Sequence, residues 1–396
     1  MHKSLIVYSY YDCPWLMKTG DTVRIHRIAE ALARAGYKII FFTLSFTTDR
    51  LKVSKHANVI YVLFPRLFYK VVSKVLNWRS YDLDPLIKLT HYIDEAVFTT
   101  KIACWLKGNH EIFAIYIFGA MTSKPCFLRL LGISKSIFFD PLGNYAQTLF
   151  IQSRNSFLRL IKYGLYLAIH GLSIKASNVL VYPSDPDRKS AERLFRLRKT
   201  IVIPNPLPVW YESFEEYTQL RNYRREFDKP YFILLAGGKS SVNREAVMMT
   251  IRIFNELPKD KFKLKITGPW EELMPLVKNS SIELMGVIPN DDLKKLLAMS
   301  DYGLSPVFSH VAGTFLKILS YISADLNIIC SYNSIANLDK SLINQLISSK
   351  KIHLIKNFSD YKQAVQKNIS SPKISFLKNP VLSDEFDNIL KKHFLE

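Results

Sequence analysis

The sequence contains no long uninterrupted run of apolar residues, although 48% of its 396 residues are hydrophobic. A helix that crosses a bilayer needs about 20 consecutive, mostly apolar residues, so we expect no membrane span. The apolar run at residues 5–8 is too short for the core of a signal peptide and is typical of a first strand. These absences predict a cytoplasmic protein.

Cysteine is scarce, and its four residues are scattered along the chain at positions 13, 104, 126 and 330. They form no Cys-x-x-Cys pair and no spacing that is typical of metal ligands. We therefore expect a reducing compartment, no structural zinc and no metal site.

Acidic residues are scarce in the first half. Residues 1–200 hold 29 Lys and Arg against 13 Asp and Glu, whereas the remainder hold 25 against 21. Such an excess predicts an anionic partner, which is a nucleic acid, an anionic lipid or a phosphorylated acceptor, unless it serves only solubility. No helix-turn-helix, RNA-recognition or zinc-finger pattern is present, so we expect no nucleic acid.

Strands and helices alternate along the chain, which is typical of α/β domains with parallel sheets. In the first half we predict strands at 4–9, 38–43, 59–64, 114–117, 136–139 and 178–182, with a helix at 22–35. In the second half we predict strands at 231–236, 262–267, 282–285, 302–305 and 327–330, with helices at 243–255, 271–277, 291–299 and 314–323, where Asn290 is the expected cap of the third. A proline-rich strand at 200–208 separates two domains, 1–205 and 206–380, and a helix is predicted at 381–396.

The most informative stretch is 301–317, where a predicted buried strand leads through a loop into a Gly-Thr helix start. Gly313 lets a backbone approach a ligand, and Thr314 is a good N-cap. Lys317 opposes the helix dipole unless an anion is bound, and it shares a face with Thr314. The stretch predicts a seat for a phosphate or diphosphate; the alternative is a simple Thr cap with a solvated Lys.

This stretch resembles the donor site of GT-B glycosyltransferases, in particular family four of the retaining enzymes. Further segments resemble that family in order and spacing over roughly residues 1–345. They are Gly20 before the helix that carries Arg24, the linker 202–206, the glycine loop 235–239 with Asn243, the strand end 266–269 and the turn 286–289.

The resemblance implies an α/β fold of two Rossmann-like, doubly wound domains facing across a cleft. It also implies transfer of a sugar, with retention, from a nucleotide-sugar donor to a glycan or lipid-linked acceptor. We expect no cofactor besides the donor co-substrate and no need for a metal ion. The predicted catalytic residues are Asp140 and Lys317. The predicted donor-binding residues are Gly20, Arg24, Gly238, Lys239, His310, Gly313, Thr314, Lys317 and Ser320.

The sequence departs from the family at three points. The family often carries acidic residues at the positions that match Ala312 and Ser320, and a His after the strand that ends near Asp140; none is present here. A second hypothesis therefore stays open, in which the chain is a catalytically silent subunit that binds a partner transferase or a membrane.

Two basic and aromatic segments, 66–79 and 154–166, have the composition of amphipathic surface helices. Lys and Arg beside Trp, Phe and Leu suit an anionic membrane interface, whereas an ordinary packed helix with a basic outer face is the alternative. We therefore predict peripheral association with the cytoplasmic face of a membrane.

Overall fold

The structure is a computed structural model. It describes residues 4–9, 20–45, 50–56, 59–67, 85–109, 111–119, 123–142, 157–195, 199–206, 208, 210–211, 213–222, 229–238, 240–309, 316–338 and 340–370. The chain divides into two compact units at Pro206 and Leu207, which we call the first and the second domain. The predicted C-terminal helix at 381–396 and most of the segment 66–79 lie outside the described residues.

The first domain is built on an eight-stranded sheet with the order β3-β4-β2-β1-β5-β6-β7-β8. All neighbours are parallel except β3 and β4, which are antiparallel. The strands are β1 (Ser4–Ser9), β2 (Lys38–Ser45), β3 (Lys52–His56), β4 (Val59–Pro65), β5 (Ile112–Phe118), β6 (Ser136–Asp140), β7 (Val179–Tyr182) and β8 (Thr200–Val202). The helices are α1 (Gly20–Arg34), α2 (Pro85–Lys107), α3 (Lys124–Leu130), α4 (Phe157–Ala176) and α5 (Asp185–Phe195).

The second domain is built on a six-stranded, fully parallel sheet with the order β11-β10-β9-β12-β13-β14. The strands are β9 (Tyr231–Leu235), β10 (Lys263–Thr267), β11 (Ile282–Gly286), β12 (Tyr302–Ser305), β13 (Asn327–Ser331) and β14 (Ile352–Ile355). The helices are α6 (Phe214–Asn222), α7 (Ser241–Asn255), α8 (Asn290–Met299), α9 (Leu316–Ser323), α10 (Tyr332–Ile335), α11 (Lys340–Ser348) and α12 (Phe358–Ser370), with a 3₁₀ helix at Glu271–Leu276.

Both sheets are covered on both faces, as the runs of apolar residues in their central strands predict. In β1, Leu5 and Val7 join one apolar cluster and Ile6 joins the other. In β9, Phe232 and Ile233 divide between two clusters in the same way. Each domain is therefore a doubly wound α/β layer structure, which confirms the predicted fold class.

A buried ion pair fixes the start of β12. Arg221 of α6 lies 2.6 Å from the carboxylate of Asp301 and donates to the carbonyls of Ala298 and Ser300. Asp301 also accepts the N–H of Tyr231 at 2.9 Å, at the start of β9. Because these groups are buried together, the pair ties α6 and the end of α8 to two adjacent strands.

Three details differ from the sequence predictions, the first being that the strand predicted at 200–208 ends at Val202. Asn290 is the first residue of α8 and not its cap; Pro289 holds the cap position, with no side-chain hydrogen bond. The predicted helix at 271–277 is a 3₁₀ turn, with Pro275 inside it. No helix within the described residues is long and apolar enough to cross a bilayer.

Candidate functional site

The second sheet reverses its winding between β9 and β12. Its order is the 3-2-1-4-5-6 arrangement in which ligands bind outside the carboxyl ends of the strands at the reversal. β9 and β12 pair only through Phe232 with Tyr302 and Ile233 with Gly303, and the pairing stops there. The two strands thus separate toward their carboxyl ends, which leaves a crevice where a ligand can enter.

The hydroxyl of Tyr321, on α9, lies between the two strands where they separate. Its hydroxyl accepts the N–H of Leu235 at 2.9 Å and donates to the carbonyl of Leu304 at 3.0 Å. A Cβ on Gly303 would lie 2.4 Å from the Tyr321 ring, so only glycine leaves room for the ring there. The hydroxyl therefore replaces the missing ladder bond between the two diverging strands.

Backbone dominates the β9 side of the crevice. Gly237 and Gly238 follow the strand and are exposed, and α7 begins a few residues later at Ser241. Ser240 caps α7, since its Oγ accepts the N–H of Asn243 at 3.2 Å. The N-terminus of a helix carries unpaired N–H groups and the positive end of the helix dipole, so it favours an anion.

Strands β10 and β11 each lead into a glycine with positive φ. Gly268 follows β10 with φ +115°, and Gly286 ends β11 with φ +66°. A Cβ on Gly268 would lie 2.1 Å from the carbonyl oxygen of Ala236, which also accepts the indole N–H of Trp270 at 2.7 Å. The backbone of β9 and the turn after β10 are therefore in direct contact.

Lys317 supplies the positive charge of this site. It is the second residue of α9, and its Nζ donates to Oδ1 of Asn243 at 2.9 Å. Asn243 in turn donates from Nδ2 to the carbonyl of Gly238 at 2.9 Å. The ammonium group, the start of α7 and the glycine loop are thus joined through one side chain.

Burial lowers the pKa of Lys317 from its ordinary value to about 8, because desolvation disfavours the charged form. An anion beside the ammonium group offsets this cost. We therefore expect the affinity of the site for anions to be highest below pH 8 and to fall as the pH rises above it.

Ser320, which the sequence predicted as a donor-binding residue, lies in the second turn of α9. Its side chain is buried, and its Oγ donates to the carbonyl of Leu316 one turn earlier at 3.1 Å. The hydroxyl is thus used inside α9, and it replaces the acidic side chain that the family often has there.

In the first domain the structure brings together Arg24 and Asp140, which are 116 positions apart. Arg24 of α1 donates from Nε and Nη2 to Oδ2 of Asp140 at 3.1 and 2.7 Å. Its Nη1 donates to the carbonyl of Pro204 and to Oδ1 of Asn205, at 3.0 and 2.9 Å. Both side chains of the ion pair are at most 3% exposed, so Arg24 ties α1 to β6 and to the segment after β8.

The carboxylate of Asp140 has two further donors. Its Oδ1 accepts the N–H of Leu142 at 2.9 Å, and its Oδ2 accepts the hydroxyl of Tyr116 at 3.2 Å. Leu142 has φ +63°, which is strained for a bulky residue, and Asp140 stabilises that turn. Four donor groups therefore surround Asp140, which is the counter-ion of buried Arg24, and its catalytic role stays a prediction.

The other predicted donor residues divide into two groups. Gly20 begins α1, and Gly238 accepts the Asn243 amide described above. Lys239, His310, Gly313 and Thr314 lie outside the described residues. Sequence reasoning assigned no individual role to Asn205 and Tyr321; the signal for Asn205 was its place in the linker 202–206, and for Tyr321 its place on the helix of Lys317.

The described residues contain no group of three or more His, Cys, Asp or Glu side chains that is suited to a metal ion. A shallow depression of about 270 Å³ lies at the opposite end of the second sheet, with Lys229, Lys263 and Lys265 among its lining residues. It shares no residue with the crevice at the strand reversal.

No protein-family model matches the chain, and neither does any curated protein. Many solved structures match it over nearly the whole length. The sucrose-phosphate synthase of Thermosynechococcus elongatus matches with a TM-score of 0.67 at 13% identity, over 99% of this chain and 95% of that chain. A trehalose-6-phosphate structure from E. coli bound with UDP-2-fluoro glucose matches with a TM-score of 0.63 at 13% identity, over 99% and 95%.

A third match is the UDP-forming α,α-trehalose-phosphate synthase of Burkholderia xenovorans in complex with glucose-6-phosphate. Its TM-score is 0.63 at 12% identity, over 99% of this chain and 95% of that chain. The chain has the GT-B fold. At such low identity the likeness establishes the fold alone, so the GT-B part of the sequence resemblance is confirmed, whereas membership of family four stays a prediction.

Proposed function

We propose that the chain is a GT-B glycosyltransferase that moves a sugar from a nucleotide-sugar donor to a glycan or lipid-linked acceptor. The observation that carries the proposal is the crevice at the β9–β12 reversal. There Lys317, the glycine loop and the capped start of α7 meet at the edge of the sheet where α/β folds bind ligands.

The chemistry of these groups suits a diphosphate. Exposed glycine backbone allows close approach, the start of α7 offers N–H donors, and Lys317 offers a charge-assisted hydrogen bond. As the bond between sugar and diphosphate breaks, negative charge grows on the leaving nucleotide, and a fixed ammonium group stabilises that charge. Lys317 is thus the residue to which we assign the largest catalytic effect.

The matched structures support the choice of donor. One of them is bound with UDP-2-fluoro glucose and another is a UDP-forming synthase in complex with glucose-6-phosphate. A further match concerns glycosyl transfer with retention by trehalose-6-phosphate synthase. We extend to this chain a nucleotide-sugar donor, retention at the anomeric carbon and, on the resemblance to family four, activity without a metal ion.

We place the acceptor on the first domain, in accordance with its basic composition, and at an anionic membrane when the acceptor is lipid-linked. An exposed apolar face on helix α4 supports the placement at a membrane. Ile161, Leu165 and Leu172 are 53%, 57% and 55% exposed, and their spacing sets them on one face, which Lys175 continues. Exposed apolar side chains beside excess positive charge suit an anionic lipid surface.

A second candidate function keeps the same fold without catalysis. The buried, helix-bonded hydroxyl of Ser320 and the lack of an acid at position 312 favour a silent subunit that binds a partner transferase or a membrane. Such a subunit would show no turnover of any donor.

A panel of nucleoside diphosphates and nucleotide sugars, screened by thermal shift, tests the donor site. A ligand at 100 times its dissociation constant stabilises by about 2.7 kcal/mol. Donors that bind are then assayed for hydrolysis and transfer, with and without EDTA. Lys317→Ala should weaken the free energy of donor binding, or raise the activation free energy of transfer, by about 1.5–3 kcal/mol. This is the value of one hydrogen bond to a charged group.

Lys295→Ala is the matched control, because that side chain is 58% exposed on another helix of the same domain. Binding without turnover would favour the silent subunit. Equal activity of wild type and Lys317→Ala would contradict the donor-site assignment.

A further inference from the structure

Asn243 links the two halves of the candidate donor site. It lies at the third position of α7, and its side chain uses both of its polar atoms: Oδ1 accepts from Lys317 and Nδ2 donates to Gly238, each at 2.9 Å. Its own N–H is held by the Ser240 cap. The two side-chain hydrogen bonds orient the amide, and the third fixes the backbone that carries it.

We propose that Asn243 is a positioning residue, which holds the ammonium group of Lys317 beside the glycine loop so that both meet the same anionic ligand. The ligand class, a diphosphate, rests on the proposed function. The positioning itself rests only on the three hydrogen bonds.

A neutral amide suits this task better than an acid. Asn243 accepts a hydrogen bond from the ammonium group without cancelling its charge, so the charge stays available to an anion. An aspartate there would hold Lys317 more strongly but would neutralise it, and it would lose the donor to Gly238. Leucine would fill similar space with neither bond.

The protonation of Lys317 is a suitable measure of the effect of Asn243, because the described elements around Lys317 carry few other charged residues. Strands β9 and β12 carry no charged residue, and α9 carries no other than Lys317. The charged residues next to Asn243 on α7, Arg244 and Glu245, are both exposed. Among the described residues of β9, β12 and α9, a change at position 243 therefore acts on Lys317 without another charged side chain on the same elements.

The first experiment needs no ligand. Competitive labelling of the Lys317 amine with acetic anhydride, followed by mass spectrometry from pH 6 to pH 11, measures the pKa of Lys317 in the intact protein. The wild-type midpoint is expected near pH 8. Asn243→Leu should lower the midpoint, because the charged form loses the acceptor that Asn243 provides, and Asn243→Asp should raise it.

Ser241→Asp is the control for long-range charge. Ser241 is exposed and adjacent on the same helix start, and its side chain accepts no hydrogen bond from Lys317. The labelling midpoint of Lys317 in the Ser241→Asp variant should stay close to that in the wild-type protein. Unchanged midpoints in both Asn243 variants, or a shift in Ser241→Asp equal to that in Asn243→Asp, would overturn the inference.

The second experiment uses UDP as the probe and follows its dissociation constant by calorimetry between pH 7 and pH 10. Wild-type affinity should fall across the Lys317 midpoint, and Lys317→Ala should weaken binding about 10- to 150-fold at pH 7 and remove the pH dependence. Asn243→Leu should move the fall to lower pH. If UDP does not bind but the labelling midpoints shift, the positioning inference stands and the diphosphate assignment fails.

Discussion

The hydroxyl of Tyr321 offers a sharp test of how the crevice is kept open. Tyr321→Phe removes one oxygen atom and leaves the ring in place, so its effect reports the hydrogen bonds of the hydroxyl to Leu235, to Leu304 and, at 3.4 Å, to the carbonyl of Ile233. A buried donor without its partner costs about 1–3 kcal/mol. We expect the free energy of unfolding to fall by about 2 kcal/mol, which lowers the melting temperature by about 4–8 °C for a domain of this size.

Urea unfolding followed by tryptophan fluorescence measures this loss in a variant that keeps only Trp270, which is buried in the core of the same domain. Amide exchange in the peptide that contains Leu235 measures it locally, since that N–H loses its acceptor. Tyr332→Phe is the control, because Tyr332 is 66% exposed and its change should stay within about 0.5 kcal/mol.

Gly303→Ala extends the test to the ring. The added Cβ would lie 2.4 Å from Cγ of Tyr321, and overpacking of this kind costs typically about 1–3 kcal/mol. The cost should persist with Phe at position 321 and largely disappear in Tyr321→Ala, where the ring is absent. Equal stability of Tyr321→Phe and the Tyr332 control, or a Gly303→Ala cost that is independent of residue 321, would refute this account.

Three further predictions concern the rest of the chain. Asp140→Asn should cost about 3–5 kcal/mol of stability, because it leaves the charge of Arg24 buried and unpaired; a loss of activity with unchanged urea unfolding would instead favour the catalytic role. Burial raises the pKa of Cys330 to about 12, so Ellman's reagent at pH 8 should label exposed Cys104 in the native protein and Cys330 only after unfolding, as mapped by mass spectrometry. The protein should sediment with anionic liposomes at low salt and leave them at high salt, and Leu165→Glu should weaken that binding; indifference to the liposomes would favour a soluble acceptor.

The strands that bury both faces were the easiest elements to predict. Runs such as 231–236 and 302–305 are apolar, short and bounded by glycine or proline, and the structure has strands there. The edge strand Lys52–His56 was missed because its residues are mostly polar. Helix Pro85–Lys107 was missed because its apolar residues show no one-sided pattern.

The candidate site was predictable only where its residues are close in sequence. Lys317 and the glycine loop were found from local patterns of helix start and strand end. The Asn243 contact to Lys317 joins positions 74 apart, and the Arg24 contact to Asp140 joins positions 116 apart. Such pairs depend on strand order, which the sequence pattern leaves open, so the ion pair between Arg24 and Asp140 was not predicted.

The contact between Gly268 and the backbone of Ala236 limits how this site is able to change during evolution. No other residue fits at position 268, where both the positive φ and the 2.1 Å approach of a Cβ exclude a side chain. New side chains for a different ligand therefore cannot be added from the turn after β10. In a saturation library we expect position 268 to tolerate glycine alone, while altered specificity arises from residues that follow β12 and from the start of α7.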